Sequence, residues 1–147
     1  MYDFDVIVIG AGPGGYPAAI RAAQLGKKTA IIEKERFGGT CLNWGCIPTK
    51  TLIASAERYR HAAHSEAYGI TAKGVSFDYA KMTARKSEIV AKLSGGVQML
   101  LTSNGVEIIR GAARFEGPNR LSVAQPDGGT RWLSAASIII AAGSDSA

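Results

Sequence analysis

The stretch Phe4-Asp5-Val6-Ile7-Val8-Ile9, followed at once by Gly10-Ala11-Gly12-Pro13-Gly14-Gly15, decides the fold of this chain. Its first half is an apolar, β-branched run, the pattern of a strand buried on both faces in a parallel sheet. Its second half fits G-x-G-x-x-G. Beyond it, Ala18, Ala19, Ala22, Ala23 and Leu25 mark a helix that Gly26 can cap. Thr29 to Ile32 reads as a second strand, ending in Glu33. That is a β-α-β unit of about 30 residues, with a right-handed crossover.

A glycine-rich loop alone is a weak signal. A strand before it, a helix after it and an acid about 20 residues on make it a strong one for a bound dinucleotide. Gly10 allows the tight turn, Gly12 the close approach of a pyrophosphate, and Gly15 close packing of helix on strand. The pyrophosphate would sit on unpaired N–H groups at the positive end of the helix. Glu33 would accept hydrogen bonds from an adenosine ribose. Pro17 removes one N–H, which the first turn of a helix tolerates. The fingerprint does not choose between NAD and FAD, and its bland alternative is a structural turn with a surface glutamate.

The second informative stretch is Gly38-Gly39-Thr40-Cys41-Leu42-Asn43-Trp44-Gly45-Cys46-Ile47-Pro48-Thr49-Lys50, which holds the only two cysteines. Five residues of ideal helix rise about 7.5 Å, and a disulfide needs its Cα atoms within roughly 7 Å. Cys41 and Cys46 could therefore bridge only across a distorted loop-to-helix junction. Gly45, through its free backbone, and Pro48, as a first-turn residue, permit one. A strained or exposed disulfide is the labile, catalytic kind, and a thiol near a helix N-terminus has a lowered pKa. The pair reads as a redox switch, against a zinc half-site or two buried thiols. Zinc would need further ligands. Glu57, His61 and His64 share one helical face, but surface helices carry such sets by chance; no metal is expected, and both histidines are expected in solvent.

With 147 residues, 46% apolar and 20% charged, the chain suits one ordinary globular domain. The run Val6 to Ile9 is too short to span a bilayer and has no basic segment before it, so a reducing, cytoplasmic compartment is the expectation. The net charge of +5 comes from Lys and Arg scattered among acids. A nucleic-acid footprint normally clusters, so no nucleic-acid partner is expected. Nothing suggests repeats or low complexity.

Further along, Leu52, Ala56, Tyr59 and Ala63 recur at helical spacing, and 69–75 reads as loop. Asp78 is the N-cap of a long helix whose Ile89, Val90, Leu93, Val97, Leu100 and Leu101 form one stripe. Gly95-Gly96 weakens its middle, and Asn104-Gly105 ends it. From Val106 the period moves towards two, with strands at 106–110, 112–115, 120–124, 130–133 and 137–142. Turn signals at Gly117-Pro118-Asn119 and Asp127-Gly128-Gly129 make this an antiparallel meander that returns to a last buried strand. The fold class is therefore α/β: a Rossmann-like domain with a parallel sheet, helices and an antiparallel meander, incomplete at its end.

A dinucleotide loop followed by GGTCLNWGCIPTK resembles the class I pyridine nucleotide–disulfide oxidoreductases, and the wording is most similar to members acting on dihydrolipoamide. The strand Gly111-Ala112-Ala113-Arg114-Phe115 and the terminal Ile138-Ile139-Ile140-Ala141-Ala142-Gly143-Ser144 carry the resemblance over the whole chain. It implies that residues 1–147 are the N-terminal part of an FAD-binding domain. Cys46 would be the thiol beside the flavin and Cys41 the thiol that exchanges with substrate. Lys50 would place a cation near the flavin. Gly10, Gly12, Gly14, Gly15, Glu33, Lys34, Gly39, Thr40, Ala113 and Gly143 would hold FAD. Trp44 and Ala142 depart from the family, which more often has Val and Thr there. The resemblance further implies an NAD site and a dimerisation domain outside this chain, a homodimeric parent, and a lipoyl group of a 2-oxo acid dehydrogenase or glycine cleavage complex as partner. Mercuric ion and glutathione-type disulfides are the alternative substrates, and a non-catalytic flavin-binding fragment is the alternative role.

Overall fold

The computed structural model describes residues 1–144 and contains the expected β-α-β unit: β1 (Phe4–Ile9), α1 (Gly15–Gln24) and β2 (Thr29–Glu33). β1 and β2 pair in parallel, from Val6 opposite Thr29 to Ile9 opposite Ile32. Gly26 closes α1 as foreseen: its φ is +77°, and Gly26 and Lys27 donate back to the Ala23 and Ala22 carbonyls at 2.9 and 3.1 Å. The cysteine run forms α2 (Gly39–Asn43) and the start of α3 (Cys46–Ala63). A 3-10 turn over Ser65–Tyr68 follows, then α4 (Tyr79–Ser103), β3 (Glu107–Arg110), β4 (Ala112–Gly117), β5 (Arg120–Ala124) and β6 (Thr130–Ile140). The Asp78 carboxylate caps α4 by accepting from the Lys81 N–H at 3.1 Å.

The sheet runs β3-β2-β1-β6-β5-β4, its first four strands parallel and the rest antiparallel. Both faces of the parallel part are covered. Ile7, Ala30, Ile32 and Ile109 pack against Leu121, Val123 and Leu133 of the meander. Val8 and Ile31 pack against Ala19 of α1 and Val97 and Leu101 of α4. Each such fully buried aliphatic chain contributes roughly 1.5–3 kcal/mol. That covering explains why β1 and β2 carry apolar residues in succession.

Four expectations need correcting. The segments 130–133 and 137–142 are one 11-residue strand, β6. Its first half pairs antiparallel with β5, up to Ser134 opposite Arg120, and its second half pairs parallel with β1 from Ala135 opposite Phe4. Asn119 holds the change of partner: its Nδ2 donates to the Ala135 and Ala136 carbonyls at 2.7 and 3.1 Å. The small residues at 134–137 thus interrupt the apolar pattern without interrupting the strand, since pairing overrides propensity. Nor is the end of β6 buried; Ile140 is 68% exposed although its strand is central. On α3 the stripe also shifts. Leu52 is half-buried, Ala56, Tyr59 and Ala63 are exposed, and Thr51 is the buried residue. On α4 Val97 and Leu101 are buried as expected, while Leu93 and Leu100 stay exposed.

The amino terminus is clipped to the meander by Asp3, whose carboxylate accepts from the Ser134 N–H and hydroxyl, both at 2.7 Å. The Ser134 hydroxyl, and then its N–H, hold the Asp3 carboxyl below its ordinary value. A depressed folded pKa stabilises above the unfolded value, about 3.9, and the contribution is lost as pH falls through the folded one. The stability difference between the wild type and Asp3→Asn, measured by urea unfolding, is therefore expected to be full at pH 6 and to shrink as the pH drops below about 4.

Candidate dinucleotide and redox-disulfide site

The carboxyl ends of β1, β2 and β6 meet at the glycine loop, the place where open α/β sheets bind ligands. Gly10 has φ +97° and donates to the Ile32 carbonyl at 2.8 Å; a Cβ there would overlap the Ala141 carbonyl. Gly15 donates to the Gly12 carbonyl at 2.9 Å, and a Cβ on it would overlap the Gly10 oxygen. Gly12 differs. A Cβ there would make only an ordinary contact, 3.7 Å from the Gly39 Cα, so the fold does not demand glycine at this position.

Glu33 is 8% exposed, and its carboxylate is engaged twice. Oε2 accepts the Ala11 N–H and Oε1 the Glu35 N–H, both at 2.7 Å. Its first task is thus to pin the glycine loop to β2. A carboxylate offers about four lone-pair sites, so both oxygens keep capacity for ribose hydroxyls. The Gly38 N–H donates to the Ala11 carbonyl at 2.8 Å, which brings the cysteine run against the same loop.

The cysteine geometry resolves as two helices meeting at a bend. α2 stops at Asn43, and α3 starts at Cys46. Between them Trp44 and Gly45 both donate to the Thr40 carbonyl, at 2.9 and 2.7 Å. A Cβ on Gly45 would stand 3.1 Å from that oxygen and 3.5 Å from the Cys41 Cα, so a side chain fits there only if the Thr40 carbonyl gives by a few tenths of an ångström. The chain doubles back there, which brings Cys46 close enough to Cys41 to shift its titration. Both are free thiols, Cys41 half-buried and Cys46 exposed. The Cys41 pKa is raised, first by the side chain of Cys46, then by burial and by the charge of Cys46; the Cys46 backbone N–H and, after it, the Lys50 cation oppose this.

A cleft of about 1060 Å³ joins the two motifs. Gly10, Gly12, Gly14, Glu33 and Lys34 line it from one side, and Gly39, Thr40, Cys41 and Cys46 from the other. The loop after β6, including Gly143, closes it. Three expected site residues lie elsewhere. Gly15 serves packing, as its spacing implied. Lys50 is exposed one turn beyond Cys46 on α3 and reaches the site through its charge on Cys41. Ala113 sits in β4 opposite Val123, packed against the core between sheet and meander. Sequence reading also missed Arg36, which lines the cleft and stacks over the Trp44 ring, 5.8 Å from its centroid. That contact accommodates the bulky Trp44 at the surface. Its only sequence signal is a cation three residues past Glu33.

The residues present fit a flavin dinucleotide. The amino end of α1 has no side-chain cap and no acid in its first turn, which leaves it to an anion. Gly12 and Gly39 approach so closely that a Cβ on Gly39 would stand 2.8 Å from the Gly12 Cα. Among the described residues no cluster of His, Cys, Asp and Glu could hold a metal ion. His61 and His64 are exposed, and among the described residues no helix is long and apolar enough to cross a membrane.

Residues 4–147 match the sequence pattern of the pyridine nucleotide-disulphide oxidoreductases. The chain is 49% identical over 140 residues to a dihydrolipoyl dehydrogenase of Zymomonas mobilis, an alignment covering 95% of this chain and 30% of that protein. It is 53% identical over 123 residues to the dihydrolipoyl dehydrogenase of Geobacillus stearothermophilus, covering 84% and 26%. Among solved structures it resembles the flavoprotein disulfide reductase RclA of Escherichia coli, in its Cu(II) complex, with a TM-score of 0.80 and 29% identity. That likeness covers 97% of this chain and 29% of the other. The chain spans less than a third of the length of the relatives it matches.

Proposed function

Since the chain belongs to the pyridine nucleotide-disulphide oxidoreductase family, we propose that it is the FAD-binding, disulfide-bearing part of an enzyme that oxidises dihydrolipoamide to lipoamide with NAD+ as acceptor. The observation that carries this reading is one cleft lined by both the glycine loop and the two cysteines. The relatives named dihydrolipoyl dehydrogenase, at about half identity over most of the chain, support the substrate. A lipoyl group of a 2-oxo acid dehydrogenase or glycine cleavage complex is then the partner, a homodimer the form, and the cytoplasm the compartment.

The chain's own residues account for the exchange half of the reaction. A dihydrolipoamide thiolate attacks the Cys41 sulfur of the Cys41–Cys46 disulfide, and the Cys46 sulfur leaves with the bonding pair. The second substrate thiol, giving up its proton, then displaces Cys41 from the mixed disulfide; lipoamide closes, and the protein holds two thiols. Gly10, Gly12, Gly14 and the amino end of α1 would hold the FAD pyrophosphate, and Glu33 the ribose. Bound FAD supplies a two-electron relay between those thiols and NAD+. Lys50 and the Cys46 end of α3 keep positive potential beside the thiols.

The test is an absorption spectrum. The chain mixed with FAD is expected to retain it through gel filtration and, on addition of a dithiol, to gain a long-wavelength band absent from Cys46→Ser. A colourless, associating chain would overturn the preformed site in favour of a non-catalytic fragment. Turnover with mercuric ion or glutathione disulfide, and none with dihydrolipoamide, by the longer enzyme would overturn the substrate.

A further inference from the structure

Beside the dinucleotide cleft, with Arg36 lining both, lies a second pocket of about 340 Å³ formed by Arg36, Asn43 of α2 and residues 86–98 of α4. Arg36 and Lys86 line it from different elements, and Asn43, Ser87, Ser94 and Gln98 are its other polar side chains. We infer that this pocket binds a phosphate group, free or carried on a small organic body, independently of the dinucleotide reading.

Three observations carry the inference. The first is charge. No acid lines the pocket, and among the described residues no carboxylate lies within ion-pair distance of Arg36 or Lys86. Glu35, next to Arg36, pairs with Lys34 at 3.6 Å, and Glu88, two residues from Lys86, does not line the pocket.

The second is donor supply. Asn43 spends its amide on the Phe37 and Gly39 carbonyls, and Ser94 its hydroxyl on Phe37, so these two build the wall. Gln98 accepts from Arg110 through Oε1 at 3.1 Å, which leaves its NH₂ to donate. Arg36, Lys86, the Gln98 amide NH₂ and the Ser87 hydroxyl therefore line one space that no carboxylate shares, a donor set of the kind that oxyanions of phosphate take up.

The third is Gly95. Glycine in mid-helix is unfavourable, yet α4 runs unbroken through Gly95-Gly96, and a Cβ on either would meet nothing within 4 Å. Packing therefore does not require Gly95. It lines the pocket, where a bare backbone lets a ligand approach, and Gly96 does not.

Gly95 and Gly96 supply a test in which the fold cannot be the culprit. Trp44 is the reporter, because Arg36 stacks upon it; a Trp132→Phe background makes it the sole tryptophan. Inorganic phosphate, titrated at constant ionic strength with ADP saturating the cleft, is expected to change Trp44 emission saturably where chloride does not. Gly95→Ala should raise the melting temperature by a few degrees and weaken phosphate binding on the order of tenfold. Gly96→Ala should raise the melting temperature alike and leave the titration unchanged. Lys86→Gln should weaken binding and Lys86→Arg restore it. Tighter binding of glycerol phosphate than of phosphate identifies an ester ligand, and equal binding a free anion. No saturable response, or one that Gly95→Ala and Gly96→Ala alter equally, overturns the proposal. Failure of ADP to bind would count against the dinucleotide reading alone, since the contrast between the two glycines decides the pocket without it.

Discussion

Gly12→Ala is expected to leave the melting temperature within a degree or so and to lower FAD affinity by about two orders of magnitude or more. The asymmetry follows from what surrounds each glycine of the loop. At Gly12 a new methyl meets the Gly39 Cα at 3.7 Å, a comfortable contact, and otherwise stands in the cleft. It would hold the pyrophosphate away from the loop and weaken charge-assisted hydrogen bonds, each contributing about 1.5–3 kcal/mol. Losing two of them spans roughly 3–6 kcal/mol, and about 1.4 kcal/mol is a tenfold change. Gly15→Ala should behave in the opposite way. Its methyl overlaps the Gly10 oxygen, so α1 must move off β1, an overpacking cost of about 1–3 kcal/mol or more. Gly10→Ala adds a φ of +97° to a clash with the Ala141 carbonyl and should be worse. Thermal melts and flavin fluorescence quenching on the three variants check this. Equal loss of stability in Gly12→Ala and Gly15→Ala would show that both glycines serve packing and that neither was spared for a ligand.

The loop and the cysteine pair were legible in sequence because glycine and cysteine occupy such positions for few physical reasons, and each reason is local. What stayed hidden depends on partners remote along the chain. The buried acid at Glu33 could be read as a ribose ligand, but its grip on the Ala11 N–H, 22 residues away, needs the folded sheet. Ala113 lies on a strand that the pattern identified, yet only the pairing of β4 with β5 shows it packed into the core. The length of β6 escaped because Ser134 to Ser137 have weak strand preference, and Asn119, on another turn, supplies the hydrogen bonds that carry the strand through. α3 looked amphipathic by period. The period finds a stripe without saying which stripe a neighbour covers, and here the covered residue is Thr51.

Cys46→Ser in the longer enzyme is expected to cost dihydrolipoamide-dependent NAD+ reduction at least roughly a thousandfold, the scale of removing one member of a catalytic unit. The reason lies in the bend at Trp44-Gly45. α2 and α3 bring the two sulfurs together across a junction that no regular helix would allow, so no other thiol can take the place of Cys46; the chain has none. The same substitution has a second readout in this chain alone. With Cys46 present, the Cys41 thiol is held above its ordinary pKa, chiefly by the side chain of that neighbour. A raised pKa means a smaller thiolate fraction at a given pH, hence slower alkylation of reduced Cys41 near pH 8. Cys46→Ala removes the leading cause, while the backbone N–H at position 46 and, after it, Lys50 stay to favour the thiolate. A lower pKa enlarges the thiolate fraction faster than it blunts nucleophilicity, so iodoacetamide labelling of Cys41 should accelerate several-fold. Mild oxidation distinguishes the variants further: the wild type loses two hydrogens as an intramolecular disulfide, whereas Cys46→Ala yields a mixed disulfide with added glutathione. Unchanged labelling of Cys41 would mean that the two thiols do not interact across the bend, and retained turnover in Cys46→Ser would mean that electrons take another route.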